Sequence, residues 1–178
     1  SAAGPTGLRP QHLVDGARSP AHRVALEALT DALNVLIAAR APSSLAPVFA
    51  GVSLNALKKD GGDVGPFAVG ETLRRLASRC LCATTTDEAA RYLRPLQVGV
   101  ACPMGAEAVV RTLSQYVERH ASSIDKLVLK VDFANAFNTV DRESFLRAAT
   151  EHAPGIAKWA WWCYSQPTTL LFNGMTIQ

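Results

Sequence analysis

The chain has 178 residues, 48% of them apolar and 19% charged, with a formal charge of +3. That length suffices for one domain burying about 70% of the surface its unfolded chain exposes, and the composition excludes a disordered chain. A charge this small does not by itself define a nucleic-acid binder, and no run of about 18 apolar residues is available to span a membrane.

The first ten residues, SAAGPTGLRP, lack the basic-then-apolar plan of a signal peptide and carry no initiator Met, so a fragment or processed piece is expected. Cys80, Cys82, Cys102 and Cys163 have no zinc-ligand spacing. They read as buried, reduced thiols of an intracellular protein, nuclear or cytoplasmic.

Residues 1 to 18, punctuated by Gly, Pro and Arg, read as extended, with His12 in a structural role. A helix follows, with Ser19 as cap and Pro20 in the first position. Its stripe of Val24, Leu26, Leu29, Leu33, Leu36 and Ile37 runs to about Arg40. Pro42 and Pro47 bracket a brief helix. Val52 to Lys58 reads as a strand, the Lys58 to Asp63 stretch as a turn, and Gly65 to Val69 as the returning strand, giving a hairpin with a basic shoulder at Lys58 and Lys59.

Gly70 to Ser78 opens a helix with Leu73, Leu76, Ala77 and Leu81 inward and Arg74, Arg75 and Arg79 outward. Those arginines, with Arg91 and Arg94, form either a solvated face or a track for a phosphate backbone. Thr86 or Asp87 caps a further short helix ending near Pro95. Gln97 to Gly105 is a glycine-bearing connector without the Gly-Lys-Ser/Thr of a phosphate loop. A long helix then runs from about Ala106 to His120, burying Ala108, Val109, Leu113, Tyr116 and Val117.

Leu127, Val128, Leu129 and Val131 read as a short interior strand, broken by Lys130 and ended by Asp132. A carboxylate there either closes the strand as a turn cap or, opened to solvent by the turn, holds a metal. Asp141 caps the next helix, with Phe145, Leu146 and Ala149 on one face. Pro154 and Gly155 break it, and Ile156 to Tyr164 forms another helix. Its Trp159, Trp161 and Trp162 read first as core or interface packing, with a nucleic-acid stacking platform as the alternative. Leu170 to Ile177 is a hairpin turning at Asn173-Gly174.

The string of Asp132, Ala136, Phe137, Asn138, Val140 and Arg142 resembles the first catalytic motif of reverse transcriptases of the non-LTR retrotransposon and group II intron type, Asp-x-x-x-Ala-Phe-Asp/Asn-x-Val/Ile-x-Arg. Three other stretches are similar to that family: GPTGLRPQHL near the start, Gly-Glu-x-x-Arg-Arg-Leu at Gly70 to Leu76, and Gln-x-Gly-Val at Gln97 to Val100. The resemblance implies an α+β polymerase fingers–palm fragment, mostly helical with a small antiparallel sheet. Residues 1–125 would hold an N-terminal extension and the fingers, and 126–178 the first part of an incomplete palm.

It further implies that Asp132 is catalytic and ligates Mg²⁺ (or Mn²⁺) with the Phe133 main-chain carbonyl. Phe137 would sit under the incoming sugar and exclude a 2′-hydroxyl. Lys58, Lys59, Arg74 and Arg75 would meet the triphosphate or a nucleic-acid backbone. The partners implied are an RNA or DNA template–primer and a dNTP, with no membrane.

Two departures stand out. Gly65 occupies the place of the family's triphosphate-binding Arg, a loss worth about 1–3 kcal/mol of binding. The later Tyr-x-Asp-Asp and Gln-Gly-x-Pro motifs are absent from the 178 residues, so the rest of the palm and the thumb are expected elsewhere and this chain alone is not expected to polymerise. The alternatives are a decayed or co-opted polymerase fold that binds nucleic acid or protein without catalysis, and an unrelated helical regulatory domain. The last expects Asp132 to stand away from basic residues.

Overall fold

The computed structural model describes residues 2–58, 62, 64–133 and 136–177, with the side chains of Val64, Pro66 and Phe137 outside that description. The N-terminal segment is not extended throughout: Pro10–Arg18 is a helix, α1. Pro10 supplies the preset φ of a first turn, and the Arg9 amide donates to His12 Nδ1 at 3.4 Å. Ser19 ends α1 rather than opening the next helix, its amide and hydroxyl both turning back to the Gly16 carbonyl. Helix α2 therefore starts later than expected, at His22, and ends at Ile37. Only its C-terminal half meets the core: Leu36 is buried and Leu33 and Ile37 are half-buried, whereas Val24 and Leu26 face solvent.

A 3₁₀ turn (Ser43–Leu45) and a single-turn helix, α3 (Ala46–Phe49), lead into strand β1 (Val52–Lys58), which pairs antiparallel with β2 (Val64–Gly70) from Val52↔Gly70 to Lys58↔Val64. Helix α4 then runs unbroken from Thr72 to Leu93. The break expected at Thr86 or Asp87 does not occur, because the hydroxyls of Thr84, Thr85 and Thr86 bond to carbonyls of the preceding turn, Leu81 and Cys82, rather than to the amides of a new one.

Helix α5 (Gly105–Arg119) forms where predicted, but its apolar face is largely open: Val109, Leu113, Tyr116 and Val117 are all exposed. Residues 126–131 form no strand. Leu127 and Leu129 are each 77% exposed, and no other described strand pairs with them, so the apolar run lacks the neighbours that would make it a ladder.

A single-turn helix, α6 (Ala136–Thr139), precedes α7 (Arg142–His152) and α8 (Pro154–Tyr164). The hairpin β3 (Leu170–Phe172) and β4 (Met175–Ile177) closes on Asn173 and Gly174, both at positive φ as an Asn-Gly hairpin turn requires.

Among the described residues the fold is α+β, with helices beside one four-stranded sheet of order β2-β1-β3-β4. The sheet is mixed, not antiparallel, because β3 pairs parallel to β1 at Val52↔Leu170 and Ser53↔Leu171. That join spans the expected division at residue 125.

The core lies where α2, α3, α4 and α8 converge, around Leu36, Ala46, Ala50, Ala77, Trp159, Trp162 and Cys163. Trp159 and Trp162 stack at 5.4 Å between ring centroids, and their indole N–H groups donate to Ser78 Oγ and the Ala41 carbonyl, each at 3.0 Å.

The cysteines divide rather than being uniformly buried: Cys80 and Cys82 are exposed, Cys102 is half-buried and Cys163 is buried. Burial pushes the Cys163 thiol up to about 12, against a smaller opposing pull from Arg74. The folded thiol therefore keeps its proton while an unfolded one ionises, and stability declines as pH rises from the unfolded value of 9.0 towards about 12. A thiol-reactive disulfide reagent at pH 8 should label Cys80 and Cys82 fast, Cys102 more slowly, and Cys163 only after denaturation. Rapid labelling of Cys163 in the native protein would contradict its burial.

Candidate functional site

The segment after α5 carries Asp132 and Phe133, both exposed and outside any regular element. Asp132 thus stands on an irregular stretch, not at a strand end, and no ion pair joins it to a basic residue among the described ones. Nine residues on, the Asp141 carboxylate accepts the Ser144 amide at 2.8 Å and caps α7 as expected. The Ser144 side chain and amide together hold that carboxyl below its usual value. Phe137 falls in α6, with its side chain outside the description.

The basic residues separate into two environments. Lys58, the last residue of β1, is exposed, while Lys59 lies outside the described residues, as does most of the expected turn. Gly65 is buried in β2 opposite Leu57. Arg74 and Arg75 do not point outward; they are half-buried and tied to main chain. The Arg74 guanidinium lies across Gly70, where any Cβ would collide with it, and donates to the Ala50 carbonyl at 3.2 Å. Arg75 donates to the Ala2 carbonyl at 3.0 Å and the Thr72 hydroxyl at 3.2 Å. Arg79 faces solvent as expected.

What the sequence reading missed is the group at the start of α4. Glu71 is only 1% exposed. Its carboxylate accepts the Thr6 amide at 2.9 Å, the Thr6 hydroxyl at 2.7 Å and the Thr72 amide at 3.0 Å. The Thr72 hydroxyl donates in turn to the Leu8 carbonyl at 2.6 Å. Gly4 lies so close to this helix start that a Cβ would come within 2.6 Å of Glu71 Cα and 2.7 Å of the Gly70 carbonyl oxygen. The Gly-Pro-Thr-Gly string and the Gly-Glu-Thr string, 65 residues apart in the chain, are therefore one clamp. Only the repeated small and hydroxyl residues of the two strings hinted at it.

Mg²⁺ or Mn²⁺ prefers about six oxygen donors in strict geometry. Among the described residues no three or more His, Cys, Asp and Glu side chains come together as a metal group. One exposed carboxylate with a neighbouring main-chain carbonyl does not fit such an ion unaided. Among the described residues, no helix is long and apolar enough to cross a membrane. No protein-family model, curated protein or solved structure matches the chain.

Proposed function

We propose that this chain is the fingers and first part of the palm of a reverse transcriptase, acting on a template–primer and deoxynucleoside triphosphates within a longer protein. The observation that carries the reading is the Asp132-to-Arg142 string, with an exposed carboxylate at its head and the capped start of α7 at its end.

Two further observations support it. The Gly4–Gly7 and Gly70–Thr72 strings, each similar to that family on its own, touch in the fold. The exposed apolar run from Leu127 to Val131 is also the kind of surface that the rest of a palm sheet would cover. In this reading Asp132 supplies one of three carboxylates, and the other two lie outside these residues.

Phe137 gives the reading a specific consequence. In the complete enzyme, Phe137→Val should admit ribonucleotides that the parent rejects, raising UTP use relative to dTTP by at least tenfold, about 1.4 kcal/mol. Equal use of UTP and dTTP by both the parent and the variant would sink the sugar-selecting role.

A second reading, a co-opted polymerase fold that binds without catalysis, is favoured by Gly65 and by the engagement of Arg74 and Arg75 with the carbonyls of Ala50 and Ala2. Both leave fewer free cations for a triphosphate.

A further inference from the structure

Helix α8 turns two of its tryptophans inward and one outward. Trp159 and Trp162, three residues apart, share the buried face, and Trp161 falls off it, 39% exposed. Yet Trp161 is not loose. Its indole N–H donates to Thr150 Oγ1 at 2.9 Å, and that hydroxyl donates to the Leu146 carbonyl at 2.9 Å. A large ring is thus held in one orientation at the surface, with its ordering cost met on folding.

Trp161 lines two neighbouring grooves of about 430 and 410 Å³, which also share Ser165 and Gln166. The first contains Lys158, one turn before Trp161 on the same helix face, exposed and in no ion pair among the described residues. The second contains Arg142, exposed and spending one N–H on the Gln166 carbonyl at 3.1 Å, with Glu143 as its one acidic member. A fixed aromatic with a cation in the groove on each side matches a flat base joined to phosphates. An aliphatic partner would leave both cations unused, and an acidic peptide would leave the ring unused.

The geometry points to a single-stranded nucleic-acid contact here, with a base stacked on Trp161 and adjoining phosphates at Lys158 and Arg142. Thr150 acts as a positioning residue for the ring. This contact does not rest on the reverse-transcriptase reading: it shares Arg142 with the string that carries that reading but involves neither Asp132 nor the β1–β2 hairpin.

The test is fluorescence anisotropy of labelled twelve-nucleotide oligo(dT) and oligo(U) against the whole chain across a salt series. Trp161→Ala should weaken binding about tenfold, Trp161→Phe much less, and Thr150→Val should fall between them. Replacing both Lys158 and Arg142 by Ala should lower the slope of log affinity against log salt by about 1.4.

The inference is overturned if the wild type binds neither oligonucleotide, or if a Trp161→Ala chain with wild-type circular dichroism binds as tightly as the parent. It also fails if the salt slope is unchanged without the two cations, or if a poly-glutamate peptide competes as well as unlabelled oligonucleotide. None of these outcomes depends on polymerisation, so failure here leaves the proposed activity standing, and the reverse.

Discussion

Trp159→Ala should lower the unfolding free energy by about 3–5 kcal/mol, measured by urea denaturation followed by circular dichroism. Trp159 is almost wholly buried where α4 and α8 meet, stacked on Trp162 with 11° between the ring planes. Truncation removes the stacking partner of Trp162 and opens a cavity in a core where Ala46, Ala50 and Ala77 make up half of the other buried members. Alanines cannot swing into the space, so little relaxation offsets the loss. It also strips Ser78 Oγ of its indole donor. Domains of ordinary stability have about 5–15 kcal/mol in hand, so this one change should remove a large share and lower the unfolding midpoint accordingly. A loss below about 1 kcal/mol would mean that the α4–α8 junction is not the centre of the fold.

Glu71→Ala should cost about 2–4 kcal/mol and act differently. The carboxylate satisfies the amides of Thr6 and Thr72 and the Thr6 hydroxyl. Alanine leaves those donors without their acceptor, the Thr72 amide in a buried setting and the two Thr6 groups in a part-buried one, and it removes the N-cap of α4. Charge-assisted bonds of this kind are worth about 1.5–3 kcal/mol each at the upper end of net contributions. Glu71→Gln keeps an acceptor oxygen and should lose roughly half as much. The loss should be local at first. Hydrogen exchange at the Thr6 and Thr72 amides should accelerate well before that of the α8 amides, and residues 2–18 should become the first site of proteolysis. Uniform acceleration across the chain would contradict a clamp confined to the N-terminal strap.

Local chemistry made much of this fold readable. The Asn173-Gly174 turn needs two residues at positive φ and has them. Asp141 caps α7 because a short carboxylate reaches the Ser144 amide. The tryptophans of α8 read as packing, which holds for Trp159 and Trp162 but not for Trp161. The hairpin of β1 and β2 follows from two short runs around a polar Gly-rich turn.

What escaped reading depends on partners distant in sequence. The parallel join of β1 to β3 has no local signal, and neither does the Thr6–Glu71 bond. The apolar faces of α5 and of Leu127 to Val131 looked buried because their residue types are those of a core, yet the described residues leave them largely exposed. Arg74 and Arg75 looked like surface cations because a guanidinium usually is one; Gly70 and the carbonyls of Ala50 and Ala2 draw them in. For the candidate site, residue types and spacing supplied the chemistry of Asp132, whereas the companions such chemistry requires do not gather around it among the described residues.

The most direct test of the proposed activity is primer extension on poly(rA)/oligo(dT) with Mg²⁺ and dTTP. The 178-residue chain would be compared with a chain continued by about 100 residues, the span a remaining palm and thumb would need, and with that longer chain carrying Asp132→Ala. The account predicts extension by the longer parent alone, with none from the shorter chain and at least a thousandfold loss on removing Asp132, about 4 kcal/mol of transition-state stabilisation. A folded longer chain that binds the template–primer but does not extend it, or one that extends it equally well without Asp132, would contradict it.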